Sequence, residues 1–205
     1  MFPSLPPATR ALILINVCVS VVQQFAPDPM AALFALWPPG SRLFEPWQLI
    51  TYAFLHAQWS HGGWMHLFFN MFALFMFGGA LERRWGGRRF VTFYLVCVLS
   101  AALTQLAVQG FAGAGEPVIG ASGGVFGVLL AFAWYFPHQK LIVIPIPIPM
   151  PAWLLVTVYG GLELLNGVKG WMPGVAHFAH LGGMLGVALC ILYWRARRPR
   201  RPVGW

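Results

Sequence analysis

Six apolar runs, at 11–27, 64–81, 90–109, 122–136, 152–168 and 175–194, divide this chain and decide what it can become. In hydrocarbon a segment must satisfy its own backbone N–H and C=O groups, and a helix does so without outside partners. A spanning helix takes roughly 20 residues, within a range of about 17–25. Five runs meet that length, and the fourth, at 122–136, is short. Charged residues make up 9% of the chain and mean hydropathy is +0.69, against about 25% charged residues in an ordinary soluble domain. The expectation is an all-α polytopic membrane protein, a bundle of six transmembrane helices. Residues 1–205 then form a single membrane domain with no large extramembrane part.

The net charge of +8 would suit nucleic acid, but its distribution argues for a membrane instead. With a cytoplasmic N-terminus, Arg10, Arg83, Arg84, Arg88, Arg89, Lys140, Arg195, Arg197, Arg198, Arg200 and Arg201 all fall on one side. Only Arg42 and Lys169 fall on the other. Such asymmetry puts both termini in the cytoplasm, with the basic tail facing anionic lipid. The first run lacks a small-residue cleavage site after it and reads as a span rather than a removed leader.

The 28–60 connection is long and apolar, broken by Pro38-Pro39-Gly40 and Pro46. It reads as an outer loop embedded partly in the headgroup region. Trp37, Trp47, Trp59 and Trp171 on the outer side, and Trp85, Trp153 and Trp194 on the inner, fit aromatic belts. Proline at every second position of Ile144-Pro-Ile-Pro-Ile-Pro-Met-Pro151 forbids a continuous helix and favours extended backbone. Cys18, Cys97 and Cys190 each lie in an apolar run, as packing residues rather than a disulfide framework.

The same topology collects polar side chains at one depth. Ser122 stands at the outer end of the fourth span, behind a glycine-rich turn. His180 lies about six residues into the sixth span from the same face, roughly 9 Å at 1.5 Å per residue. The second span brings His61, His66 and Asn70 near its outer end. Polar groups are costly in a membrane, and a functional site is the default reading. Ser122 is the candidate nucleophile, which needs a neighbouring base. His180 is the candidate base, because Gly182, Gly183 and Gly186 after it permit close helix contact. His177, one turn earlier, competes for that role without the same glycine register. His66 and Asn70, four apart, share a helix face and could donate to an oxyanion together with the Ser122 amide. Gly120, Gly123 and Gly124 let backbone approach closely. No carboxylate has an obvious approach to His180, so a dyad is expected rather than a triad. Glu163, in the fifth span, is compatible with an ion pair, a gate or a place near the outer surface.

Taken in order, these residues resemble the rhomboid family of intramembrane serine proteases over nearly the whole chain. The family's H-x-x-x-x-H-x-x-x-N is similar to His61, His66 and Asn70 as they stand here. Its G-x-S-G resembles Gly120-Ala-Ser122-Gly123, and its A-H-x-x-G resembles Ala179-His180-Leu-Gly-Gly183. The run Glu82-Arg83-Arg84-Trp-Gly86 is also similar. The resemblance implies Ser122 as nucleophile, His180 as base, and His66 and Asn70 as oxyanion donors, in cleavage of a peptide bond within or beside a substrate's transmembrane segment. Two positions depart from it: Trp47-Gln48 stands where Trp-Arg is common, and Phe126 where some relatives carry tyrosine. Phe126 could still stack on His180.

The expected partners are single-span or polytopic membrane proteins and the lipid bilayer, with no nucleic acid, no cofactor and no metal. A substrate helix is expected to enter laterally between the second and fifth spans. Two readings from other classes stand beside this one. A pseudoprotease would bind membrane clients without cutting them. A metal-dependent hydrolase would use His56, His61, His66, His177 and His180, although no H-E-x-x-H is present. Short loops favour a bacterial plasma membrane, multi-pass, with the site opening outward.

Overall fold

The computed structural model describes residues 4–112, 116–143, 146–172 and 174–196. The basic tail residues Arg197, Arg198, Arg200 and Arg201 lie outside that range, as do Ile144 and Pro145. Helix α1 (Pro7–Phe25) and the short α2 (Pro27–Phe34) each begin on a proline, whose missing N–H costs nothing in the first turn. The outer loop then holds α3 (Gln48–Thr51) and two 3-10 turns, Tyr52–Phe54 and Trp59–His61. Helix α4 (Gly63–Ala73) continues through a π-turn at Leu74–Gly78 into α5 (Gly79–Trp85). Next come α6 (Gly87–Ala112), α7 (Ser122–Tyr135), a hairpin of β1 (Lys140–Val143) and β2 (Ile146–Pro151), α8 (Ala152–Lys169) and α9 (His177–Ala196).

Among the described residues, four helical stretches are long and apolar enough to cross a membrane: Pro7–Phe25, Gly63–Trp85, Gly87–Gly110 and His177–Ala196. Helix α7, at 14 residues, reaches only about 21 Å against a hydrocarbon core of about 30 Å. Helix α8 has 18 residues but carries Thr157, Glu163 and Asn166 and is more polar than the four. The outward faces are apolar, with Phe68, Phe72 and Phe75 on the α4–α5 helix and Leu185, Leu189 and Leu192 on α9 exposed. The interior meanwhile buries Thr9, Asn16, Ser20 and Gln23. An apolar exterior over buried polar side chains, in a bundle of apolar helices, belongs to a multi-pass membrane protein.

Small residues bring α6, α7 and α9 together until their backbones touch. A Cβ at Gly183 of α9 would collide with the Gly123 carbonyl of α7. A Cβ at Gly186 would stand 2.8 Å from the Cα of Cys97 on α6, and one at Gly127 would stand 2.6 Å from its Sγ. The Ser100 hydroxyl adds a bond to the Gly182 carbonyl at 2.7 Å. Without a hydrophobic force between helices in lipid, such close contact and such bonds carry the association.

Glu82 secures the head of α1. Its carboxylate accepts from the Ala8 and Thr9 amides at 2.9 and 2.7 Å and from the Thr9 hydroxyl at 2.7 Å. These amides have no partner inside their own helix, and an anion there is worth about 0.3–1 kcal/mol, up to about 2 when partly buried. Gly86, with φ +82°, then turns the chain into α6.

Gln48 anchors the outer loop. Fully buried, it donates to the Leu43 carbonyl at 2.7 Å and accepts from the Trp37 amide at 3.2 Å. The indole of Trp47 donates to the Leu33 carbonyl at 2.8 Å. The inner tryptophans Trp85 and Trp194 depart from a simple belt: they pack on one another at 5.2 Å, and Arg89 lies 3.8 Å over the Trp194 ring.

From Ile146 to Pro151 the proline-rich run is extended, as its spacing implies, and it pairs with β1 so that Leu141 meets Met150. The Ala152 amide donates to Gln139 on the β1 side. Since amides alternate sides along a strand, Pro147, Pro149 and Pro151 fall where an amide would point away from β1.

Candidate functional site

The turn before α7 is built from outside it. Gly120, at φ +125°, adopts a conformation that L side chains rarely reach, and its amide donates to the Tyr52 carbonyl at 2.9 Å. A Cβ at Gly120 would stand 2.8 Å from Cε1 of His66, so only glycine leaves room for that imidazole. Leu36 and Val118 exchange backbone bonds of 2.9 and 3.0 Å, tying the outer loop to the same turn. The buried Tyr52 hydroxyl donates to the Val98 carbonyl at 2.9 Å, fixing the loop to α6.

Ser122 therefore sits at the first turn of α7, half-buried. Its Oγ lies 2.7 Å from Nε2 of His180 on α9. Phe126, one turn further along α7, stacks on the His180 ring with centroids 4.3 Å apart and planes within 8°. Gly123 backs onto Ala101 and the Ala179 carbonyl, holding α7 against its neighbours. His66 faces Gly120 from α4, and the buried Asn70, on the same helix face, gives one amide hydrogen to the His66 carbonyl at 2.9 Å. The amides at the head of α7 have no partner within the helix and carry the positive end of its dipole.

His61 closes the second 3-10 turn; its side chain lies outside the described set. His56 is fully buried beside His66, ring centroids 5.2 Å apart, and its amide donates to Gln23 of α1 at 2.9 Å. Burial, helped by the neighbouring His66, pushes the His56 imidazole down to about 3, so it is neutral at ordinary pH.

One expectation is overturned. A carboxylate does reach His180: Oε2 of Glu163 on α8 lies 2.8 Å from its Nδ1. The same oxygen lies 2.7 Å from Nδ1 of His177, whose Nε2 is 3.0 Å from the Trp171 carbonyl. His177 thus faces Glu163 and Trp171 rather than competing for Ser122. Among the described residues, Glu163, His177 and His180 also form the group with metal-ligand spacing, one donor atom each within 4.8 Å. His56 and His66 stand apart from it. A cavity of about 150 Å³ opens on the far side of His177, lined by Gln105, Asn166, Trp171 and Met172. It does not include Ser122.

Sequence reasoning passed over Tyr52 and the link from Glu163 to His180, and it marked Gln48 only as a departure from the resemblance. Tyr52 carries no local signal, since loop tyrosines are common. For Glu163 the signal existed, because an acidic residue inside an apolar run calls for a partner.

A rhomboid-domain family model matches residues 43–196. The chain is 30% identical over 174 residues to rhomboid protein 1, mitochondrial, of Saccharomyces cerevisiae, covering 76% of this chain and 48% of that protein. It is 31% identical over 129 residues to rhomboid protease GlpG of Klebsiella pneumoniae, covering 62% and 43%. With RHOMBOID-like protein 6, mitochondrial, of Arabidopsis thaliana it shares 31% identity over 166 residues, covering 78% and 47%. The chain spans about half the length of these curated relatives.

Proposed function

The chain belongs to the rhomboid family, and from that premise and the site geometry we propose that it is an intramembrane serine endopeptidase. The observation that carries this reading is the 2.7 Å contact between Ser122 Oγ and His180 Nε2, made across two helices in an apolar bundle. In the proposed reaction His180 takes the Ser122 proton as Oγ attacks a substrate carbonyl. The tetrahedral oxyanion is held by the Ser122 amide at the head of α7, with His66 and Asn70 as further donors. His180 then returns the proton to the leaving amine, and water clears the acyl-enzyme. Phe126 keeps the imidazole flat against α7 through both steps.

Substrates are membrane proteins whose transmembrane segments unwind locally, since an intact helix shields its carbonyls. Entry is lateral, on the open side between the α4–α5 helix and α8. We place the protein in a bacterial plasma membrane with six crossings, counting α7 and α8, both termini cytoplasmic and the site opening outward. Eleven basic residues on one side against two on the other support that orientation. A C-terminal reporter that folds only in the cytoplasm is expected to be active; activity of an export-dependent reporter instead overturns the orientation.

The Glu163–His177–His180 spacing is the observation that would favour metal-dependent hydrolysis. One cleavage assay separates the readings. Wild-type protein, purified in detergent with a labelled single-span substrate, is expected to release a discrete fragment at an undiminished rate in a chelator. Chelator-sensitive cleavage would transfer the chemistry to a metal. Binding without cleavage, across a panel of substrates, would leave a pseudoprotease.

A further inference from the structure

We propose that Glu163 is the positioning residue of His180, so that the site works as a serine–histidine–glutamate relay in which three helices each supply one member. This deepens the serine-protease reading above and rests on it. The argument begins with protons. An ionised carboxylate only accepts hydrogen bonds, so the 2.8 Å contact of Glu163 Oε2 requires a hydrogen on Nδ1 of His180. That leaves Nε2 bare toward Ser122, as a general base must be, 2.7 Å from its hydroxyl. With the opposite tautomer, Nε2–H would face the serine and no proton could be taken. When the Ser122 proton arrives, the ring becomes an imidazolium with Nδ1–H already aimed at a negative oxygen. In a water-poor site that stabilisation is worth more than in bulk water.

His177 completes the arrangement. The Trp171 carbonyl offers only lone pairs, so the hydrogen on His177 Nε2 is fixed by the 3.0 Å contact. Nδ1 of His177 lies 2.7 Å from the same Oε2, and with Glu163 ionised the hydrogen between them belongs to Nδ1. His177 thereby holds the carboxylate from the side opposite to Ser122, and α8 cannot rotate Glu163 away without breaking two bonds. The side chains of His177, His180 and Glu163 are only 6%, 10% and 14% exposed, so water competes weakly for these contacts.

A purely structural pin between α8 and α9 would show up in stability alone, whereas a positioning residue shows up in turnover. The test compares wild type, Glu163→Gln, Glu163→Asp and Ser122→Ala, reconstituted with one labelled single-span substrate. Glu163→Gln keeps the size but removes the charge and lets an amide N–H face Nδ1. In a fully buried serine–histidine–aspartate site the corresponding change costs about 10⁴ in kcat. Here the imidazole is also held by its stack on Phe126, and a loss of about 10- to 100-fold in kcat is expected. KM should stay within about twofold, the melting temperature should be unchanged, and a fluorophosphonate should label Ser122 more slowly by the same factor. Glu163→Asp should recover part of the rate.

Wild-type kcat in Glu163→Gln overturns the proposal. So does a rate loss fully matched by loss of folded protein, with no slowing of labelling per folded molecule. Nitrogen-15 histidine spectra of the wild type give a reading independent of any variant. They are expected to show neutral His180 protonated at Nδ1, and a proton on Nε2 instead overturns the proposal. The Ser122→Ala arm keeps the two levels apart: continued cleavage there sinks the serine reading itself. A blank Ser122→Ala with an undiminished Glu163→Gln sinks only the role of Glu163.

Discussion

Ser122→Ala protein, reconstituted with a labelled single-span substrate, is expected to release no fragment above background. The substitution removes one oxygen and leaves the Cβ, so the head of α7 and its contacts with α6 and α9 persist. His180 then faces a methyl group where it had a hydroxyl at 2.7 Å. Removing the nucleophile of a serine hydrolase typically costs about 10⁶ in kcat, with the residue of catalysis coming from oxyanion donors and binding. Melting temperature and substrate binding should match wild type, and fluorophosphonate labelling should vanish. Cleavage within tenfold of wild type would refute the nucleophile assignment.

Gly183→Ala is expected to damage both fold and turnover, from one added methyl group. The new Cβ would drive into the Gly123 carbonyl, which is backbone and cannot swing aside. Helices α7 and α9 must therefore separate. Overpacking of this kind costs about 1–3 kcal/mol. The functional loss should be larger than the stability loss suggests, because Gly123 adjoins Ser122 and Gly183 follows His180 within one turn. A misplacement of about 1 Å between reacting groups can cost about 10² in rate, so a drop of that order in kcat is expected. Gly161→Ala on α8 is the matched comparison, since an added Cβ there meets nothing within 4 Å. Equal behaviour of the two variants, by thermal denaturation and initial rates, would remove the glycine contact from the account.

What the sequence makes legible follows from what hydropathy measures. Apolar runs give the depth of each residue, and depth alone brings Ser122, His66 and His180 to one level. The spacing of glycines adds which helices can touch, which is why α9 could be matched to α7. Depth would also have served for Glu163. It lies five residues from the outer end of its run, or roughly 7.5 Å, close to the level of His180. What hydropathy does not give is rotation about the helix axis, and rotation decides whether Glu163 faces lipid or the imidazoles. Loop chemistry is hidden for a different reason. Gln48 reaches the Leu43 carbonyl and the Trp37 amide only after the outer loop has folded back on itself. Nor could composition tell that Trp85 and Trp194 pack on each other, because a belt tryptophan and a packed one look alike in a linear chain.

The alternating prolines of β2 have an effect beyond shaping a turn. Along the far margin of that strand, Pro147, Pro149 and Pro151 leave carbonyls with no neighbouring N–H to complete a ladder. A stray peptide drifting alongside can be offered half of the pairing it requires, and never the other half. The ribbon thus carries, in its own backbone, a border to which no further strand can be fully stitched.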